Sequence, residues 1–130
     1  MAGQQNKKSV PAEKSKLQRD LLLGFVKIHV LYHAAQEAIY GAGISAELEA
    51  HGYHLSWGTL YPLLHNLEAA GFLAREEQVV DGKVRKYYRI TELGREALDE
   101  ARNKAVELVR EISGFDSVPV GCGGPAAGKV

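Results

Sequence analysis

Uncharged hydrogen-bonding side chains, Thr59, Tyr61, His65 and Asn66, gather in the segment from Ser56 to Gly71. Leu60, Leu63, Leu64, Leu67 and Gly71 fall at the i, i+3, i+4, i+7, i+11 spacing of a single apolar helical stripe. At about 100° per residue, Gly58, Pro62, His65 and Ala69 lie opposite, flanked by Tyr61 and Asn66. A surface helix ordinarily carries charge on that side. This one is slim and neutral, so it can be pushed into a groove, and the DNA major groove admits an α-helix. Tyr and Thr hydroxyls suit phosphates, whereas His65 and Asn66 suit base edges, Asn above all adenine. Lys83, Arg85 and Lys86 form a basic cluster with no acid among them. They fit phosphate or minor-groove contact, and the competing reading is a charged edge that discourages strand pairing.

His29 and His33 stand four apart, a spacing that can hold a metal on one helix face. No carboxylate or cysteine completes a site at a legible spacing, so they are read as interface histidines. His51 and His54 are read only as flanking a helix end, and Trp57 as a packing residue. No metal and no cofactor is expected. There is no Gly-Lys-Ser/Thr phosphate loop, no His-Glu-x-x-His and no nucleophile paired with a base, so nothing makes a case for an enzyme.

The 130 residues suit one domain, and 45% hydrophobic with 25% charged residues is ordinary for a globular chain. The longest apolar run, Leu21 to Ala35, is broken by Gly24, Lys27, His29 and His33, and falls short of the roughly 20 residues that span a bilayer. The first residues are polar and Lys-rich, unlike a signal peptide. The single Cys122 fits a reducing compartment, so a cytoplasmic location and no membrane partner are expected. Net charge is zero, yet it is unevenly placed: a basic arm and a basic 83–89 stretch contrast with an acidic 92–116.

The elements that must position these groups follow from periodicity. Residues 1–16 read as a disordered basic arm. A largely apolar helix is expected over 17–38, broken by Gly41 and Gly43, then a short helix over 44–50 stopped by Gly52. The Ser56–Gly71 helix follows, with Ser56 or Thr59 as cap and an awkward Pro62 near its start. Residues 72–80 and 83–90 flank Asp81-Gly82, a strong hairpin signal. That register sets Glu77 opposite Lys86 and Leu73 opposite Ile90. Thr91 then caps a helix over 92–113 ended by Gly114, and 114–130 reads as a flexible tail.

Three helices and a hairpin in this order make a winged helix-turn-helix over 17–91. The fold class expected is mainly α with a two-stranded β-wing and a C-terminal dimerisation helix over 92–113. In that last helix Leu98, Ala101, Ala105, Leu108 and Ile112 alternate steps of three and four, with Val106 and Val109 widening the seam. The first helix is apolar around more of its surface than one neighbour covers. Both features favour a homodimer.

Ser56-Trp-Gly-Thr-Leu-Tyr-Pro-Leu-Leu-His-Asn-Leu-Glu, followed by Arg85-Lys-Tyr-Tyr-Arg-Ile-Thr-Glu-Leu-Gly94, resembles the paired motifs of the PadR-like transcriptional regulators. The resemblance spans roughly residues 22–112. It implies a dimeric winged-helix repressor of bacteria, compact in its C-terminal region, of a kind that often answers to phenolic or multidrug-type compounds. Carried over by position, Ser56, Thr59, Tyr61, Pro62, His65 and Asn66 lie on or beside the DNA-facing surface, and Lys83, Arg85 and Lys86 in the wing. Tyr40-Gly41 matches the family's Tyr-Gly before its second helix, which adds Tyr40, while Ala42 and Gly43 depart from the residues that commonly follow.

The expected function is a homodimeric, sequence-specific regulator of double-stranded DNA, acting as a repressor on a pseudo-palindromic operator. A small aromatic or hydrophobic effector would enter between first and last helices, beside Phe25, His29, Tyr32, His33 and Leu108. Leu98, Ala101, Ala105, Leu108, Val109 and Ile112 would form the dimer interface. Two alternatives remain open: a winged-helix adaptor that docks proteins, and a ligand-binding dimer without DNA activity.

Overall fold

The structure, a computed structural model, describes residues 12–114. The outer parts of the arm and the C-terminal tail with Cys122 lie outside the described residues. The order is α1 (Ala12–Gln36), β1 (Ile39–Tyr40), α2 (Gly41–Ala50), α3 (Trp57–Ala69), β2 (Leu73–Val80), β3 (Lys83–Ile90) and α4 (Glu92–Ser113). No helix among the described residues is long and apolar enough to cross a membrane.

Helix α1 begins at Ala12, inside the stretch expected to be a disordered arm. Its first turns are solvated, with an exposed Lys16–Asp20 pair one turn apart at 3.2 Å. Its buried stripe, Val26, Val30 and Ala34 with Leu31, meets Ile44 and Leu48 of α2 and Leu60, Leu63, Leu64 and Leu67 of α3 in one core. Leu73, Tyr88 and Leu98 close that core from the hairpin and α4.

Gly41 and Gly43 do not break a helix; they open α2. Their lack of a side chain is a packing requirement. A Cβ on Gly41 would stand 3.0 Å from the Tyr61 hydroxyl, and one on Gly43 would stand 3.0 Å from the Tyr40 ring. Two aromatic rings therefore lie against the start of α2 because glycine leaves room. At the other end, the Tyr53 and Gly52 amides donate to the Leu48 and Glu49 carbonyls, with Gly52 left-handed at φ +91°. That closure satisfies orphan carbonyls and turns the chain toward α3.

Ser56 occupies the N-cap position of α3, yet its side chain caps nothing. Its hydroxyl donates to Thr59 Oγ1 at 3.3 Å, while its carbonyl accepts from both the Thr59 and Leu60 amides. The shared acceptor marks a tightened first turn. Pro62 lies inside the helix. The carbonyl it cannot serve, by i−4 pairing, is that of exposed Gly58, where water can substitute.

The β2–β3 hairpin is the two-stranded wing expected, and β1 adds a third strand along β3, giving an antiparallel sheet in the order β1-β3-β2. Ile39 pairs with Tyr88 and Tyr40 with Tyr87. Two residues show no alternation, so β1 had no signature of its own; it forms because α1 and α2 hold it against the edge of β3. The hairpin register is as expected, with Leu73 opposite Ile90 and Glu77 opposite Lys86. Asp81 and Gly82 both have positive φ, +53° and +77°, as a two-residue I′ turn requires. Glu77, however, pairs with Arg75 at 3.7 Å on its own strand. Among the described residues neither Lys83 nor Lys86 has an ion-pair partner.

Thr91 caps α4 by accepting from the Gly94 amide at 3.0 Å. Its hydroxyl also donates to the Gly71 carbonyl, tying the end of α3 to the start of α4. Helix α4 ends at left-handed Gly114.

Candidate nucleic-acid interface

The outer ridge of α3 is free. Gly58, Tyr61, Pro62, His65, Asn66 and Ala69 are all exposed, while the four leucines behind them are buried. The separation follows from helical geometry: a stripe drawn into the core by four leucines leaves the opposite stripe facing out.

A groove of about 980 Å³ runs between α3, the start of α2 and the hairpin. It brings together Tyr40, Tyr61, His65, Lys83, Arg85 and Lys86 from positions far apart in the chain. Ser56, Thr59, Pro62 and Asn66 are not in its lining; they continue the same helix beyond it. Thr59 is half-buried, so of the two it offers less surface than Tyr61.

Arg85 is held in place. Its guanidinium carbon lies 4.2 Å from the Tyr40 ring centroid, and Nη1 donates to the Tyr87 hydroxyl at 3.4 Å. The hydrogen bond to Tyr87 raises its pKa further, so the group is fully charged. Tyr40 and Tyr87 rings stand 5.5 Å apart, joining β1 to β3 through their side chains. Tyr88, by contrast, is buried in the core, and burial raises its phenol pKa.

Two residues that sequence reasoning did not place at this surface belong here. Trp57 is 48% exposed and stacks on Tyr61 with ring centroids 5.2 Å apart, so it packs on the ridge itself. Its position one turn before Tyr61 was the available signal. Arg75 lines the groove and lies 3.5 Å from Glu68 on α3, bracing wing to helix.

The expected effector pocket does not assemble within one protomer. Phe25, Tyr32 and Leu108 stand about half exposed. His29 and His33 turn instead toward His51, at the end of α2. The expected dimer seam divides. Leu98 is only 6% exposed and belongs to the protomer's own core, and Ala101 and Ala105 are half-buried along α4. Leu108, Val109 and Ile112 remain exposed, as do Leu17, Leu21 and Leu22 on α1.

Comparison with known proteins bears on this arrangement. Residues 30–100 match the family described as the transcriptional regulator PadR-like family. The transcriptional regulator Rv3488 of Mycobacterium tuberculosis is 48% identical over 105 residues, 81% of this chain and 98% of that protein. A PadR family transcriptional regulator from Eggerthella lenta superposes with a TM-score of 0.67 at 33% identity, covering 76% of this chain and 88% of its own. A PadR-like regulator from Bacillus cereus gives 0.67 at 30% identity, over 73% and 94% of the two chains. The matched segment runs from the buried half of α1 through the ridge, the wing and the first turns of α4, so fold, motifs and kinship coincide. The chain belongs to the PadR-like family of transcriptional regulators.

Proposed function

We propose that the protein is a sequence-specific repressor that binds double-stranded DNA as a homodimer. The observation that carries this reading is an exposed, uncharged ridge on α3 facing, across one groove, a basic wing whose Lys83 and Lys86 have no ion-pair partner among the described residues. The ridge enters the major groove, with Asn66 and His65 at base edges and the Tyr61, Thr59 and Ser56 hydroxyls on phosphates. Pro62 keeps the ridge slim. Lys83, Arg85 and Lys86 hold the flanking phosphates or minor groove. Tyr40 stands before α2, whose N-terminus has no side-chain cap and no acid in its first turn, a site suited to a phosphate oxygen.

Dimerisation is supported by apolar surface that one protomer leaves uncovered: Leu17, Leu21 and Phe25 on α1, Leu108, Val109 and Ile112 on α4. A two-fold axis through these helices directs two ridges at successive major grooves, roughly 34–36 Å apart on a pseudo-palindromic site. A bound dimer of this kind obstructs polymerase, which makes repression its simplest output. A small aromatic or hydrophobic effector would bind against Phe25, Tyr32 and Leu108 and alter the spacing of the ridges.

The test is selection of bound sequences from random DNA, followed by affinity measurement over a salt series. A recovered inverted repeat, with log affinity falling linearly in log salt, supports the reading. Failure to bind any DNA at low salt, with a protein partner recovered instead, would favour an adaptor.

A further inference from the structure

We propose that His29, His33 and His51 bind one divalent transition-metal ion of the zinc class. His29 and His33 project from neighbouring turns of α1, and His51 is the C-cap of α2. One ring nitrogen from each lies within 4.8 Å of the other two. The His29 and His51 ring centroids are 4.6 Å apart, and His33 lies 6.3 Å from His29 and 6.2 Å from His51. Around a tetrahedral ion with metal–nitrogen bonds of about 2.0–2.1 Å, ligand nitrogens stand roughly 3.3 Å apart. Exposed His51 can turn to close that difference without disturbing the core.

Three further observations point to a ligand. His33 Nε2 is buried and has no hydrogen-bond partner, and a buried polar atom left so is costly. Glu47 of α2 stands 3.8 Å from that nitrogen, too far to satisfy it yet placed to orient the ring or balance a cation's charge. The Tyr53 ring, 5.4 Å from that of His29, covers one side of the cluster.

The donor set determines the class of ion. Three imidazole nitrogens suit zinc, cobalt, nickel or copper and not magnesium or calcium, which need oxygen ligands. Three protein ligands also leave a fourth position open to water or Glu47. The ion would fasten α1 to the turn that leads into α3. On the DNA-binding reading above, and resting on it, that fastening sets the angle of the ridge and makes operator affinity depend on the metal.

The experiment uses the full chain without an affinity tag, stripped with chelator and titrated with zinc chloride against a chromogenic zinc indicator. Cobalt chloride provides a second probe through its visible d–d absorption. The expected result is one ion per chain, with affinity about tenfold or more above that of His51→Gln and of His29→Gln. His51 is exposed, so its variant retains the fold, checked by thermal melting. His54→Gln, exposed beside Glu49, should bind as the parent does. No saturable zinc binding, or equal binding by the parent and His51→Gln, overturns the site. Operator affinity is then measured with and without zinc. Zinc held at the site without change in operator affinity overturns the coupling, and zinc binding in a protein that retards no DNA leaves the site standing while the DNA reading falls.

Discussion

The Arg85 guanidinium carbon lies 4.2 Å from the centroid of the Tyr40 ring, so the wing's central cation rests on the residue that introduces α2. Wing and helix-turn-helix thus share one anchored charge. Arg85→Gln should weaken DNA binding for all sequences alike and flatten the salt slope by about 0.9, the share of one phosphate. Tyr40→Leu keeps the charge but loses its seat, an exposed cation–π contact worth about 0.5–1 kcal/mol, so affinity should fall about two- to fivefold. Anisotropy titrations over a salt series measure both, and an unchanged slope in Arg85→Gln would remove Arg85 from the interface.

Asn66 is exposed on the ridge with no charged neighbour on that face. Asn66→Ala should relax preference at one or two base pairs, at a cost of about 1–3 kcal/mol against the parent's optimal site. Selection from random DNA with parent and variant side by side checks this. Uniform weakening would make Asn66 a backbone contact.

Gly94 is buried in the first turn of α4, where a Cβ would run into the Phe72 carbonyl oxygen and stand 2.7 Å from Ile90 Cγ1. Backbone cannot yield as a flexible side chain does. Gly94→Ala should therefore destabilise the fold by about 1–3 kcal/mol, despite alanine's better helix propensity. Denaturant unfolding gives the number.

The two halves of the α4 seam should behave oppositely. Ile112 is 74% exposed and Leu108 49% exposed. Replacing both with Asp should leave each protomer folded and shift light scattering from dimer to monomer. Leu98→Ala should instead cost about 2–5 kcal/mol of stability through a core cavity. A dimer that persists in the Leu108/Ile112 double variant places the interface elsewhere.

Features that depend on residues a few positions apart were legible in the chain itself. The leucine stripe of α3, the Asp81-Gly82 turn with its register, the Thr91 cap and the Gly114 stop each carry their own local chemistry, and each stands as the residues indicate. The outward ridge belongs with them, because a helix's buried face determines its exposed one. Features that need distant residues to meet were decided only by the tertiary structure. Ile39–Tyr40 becomes a strand because β3 offers it an edge, and Gly41 and Gly43 begin a helix because Tyr61 and Tyr40 need the space. Leu98 joins the core in place of the seam, and His51 arrives beside His29 and His33. Periodicity reports which way a side chain faces along its own element; what it faces is set by how the elements pack.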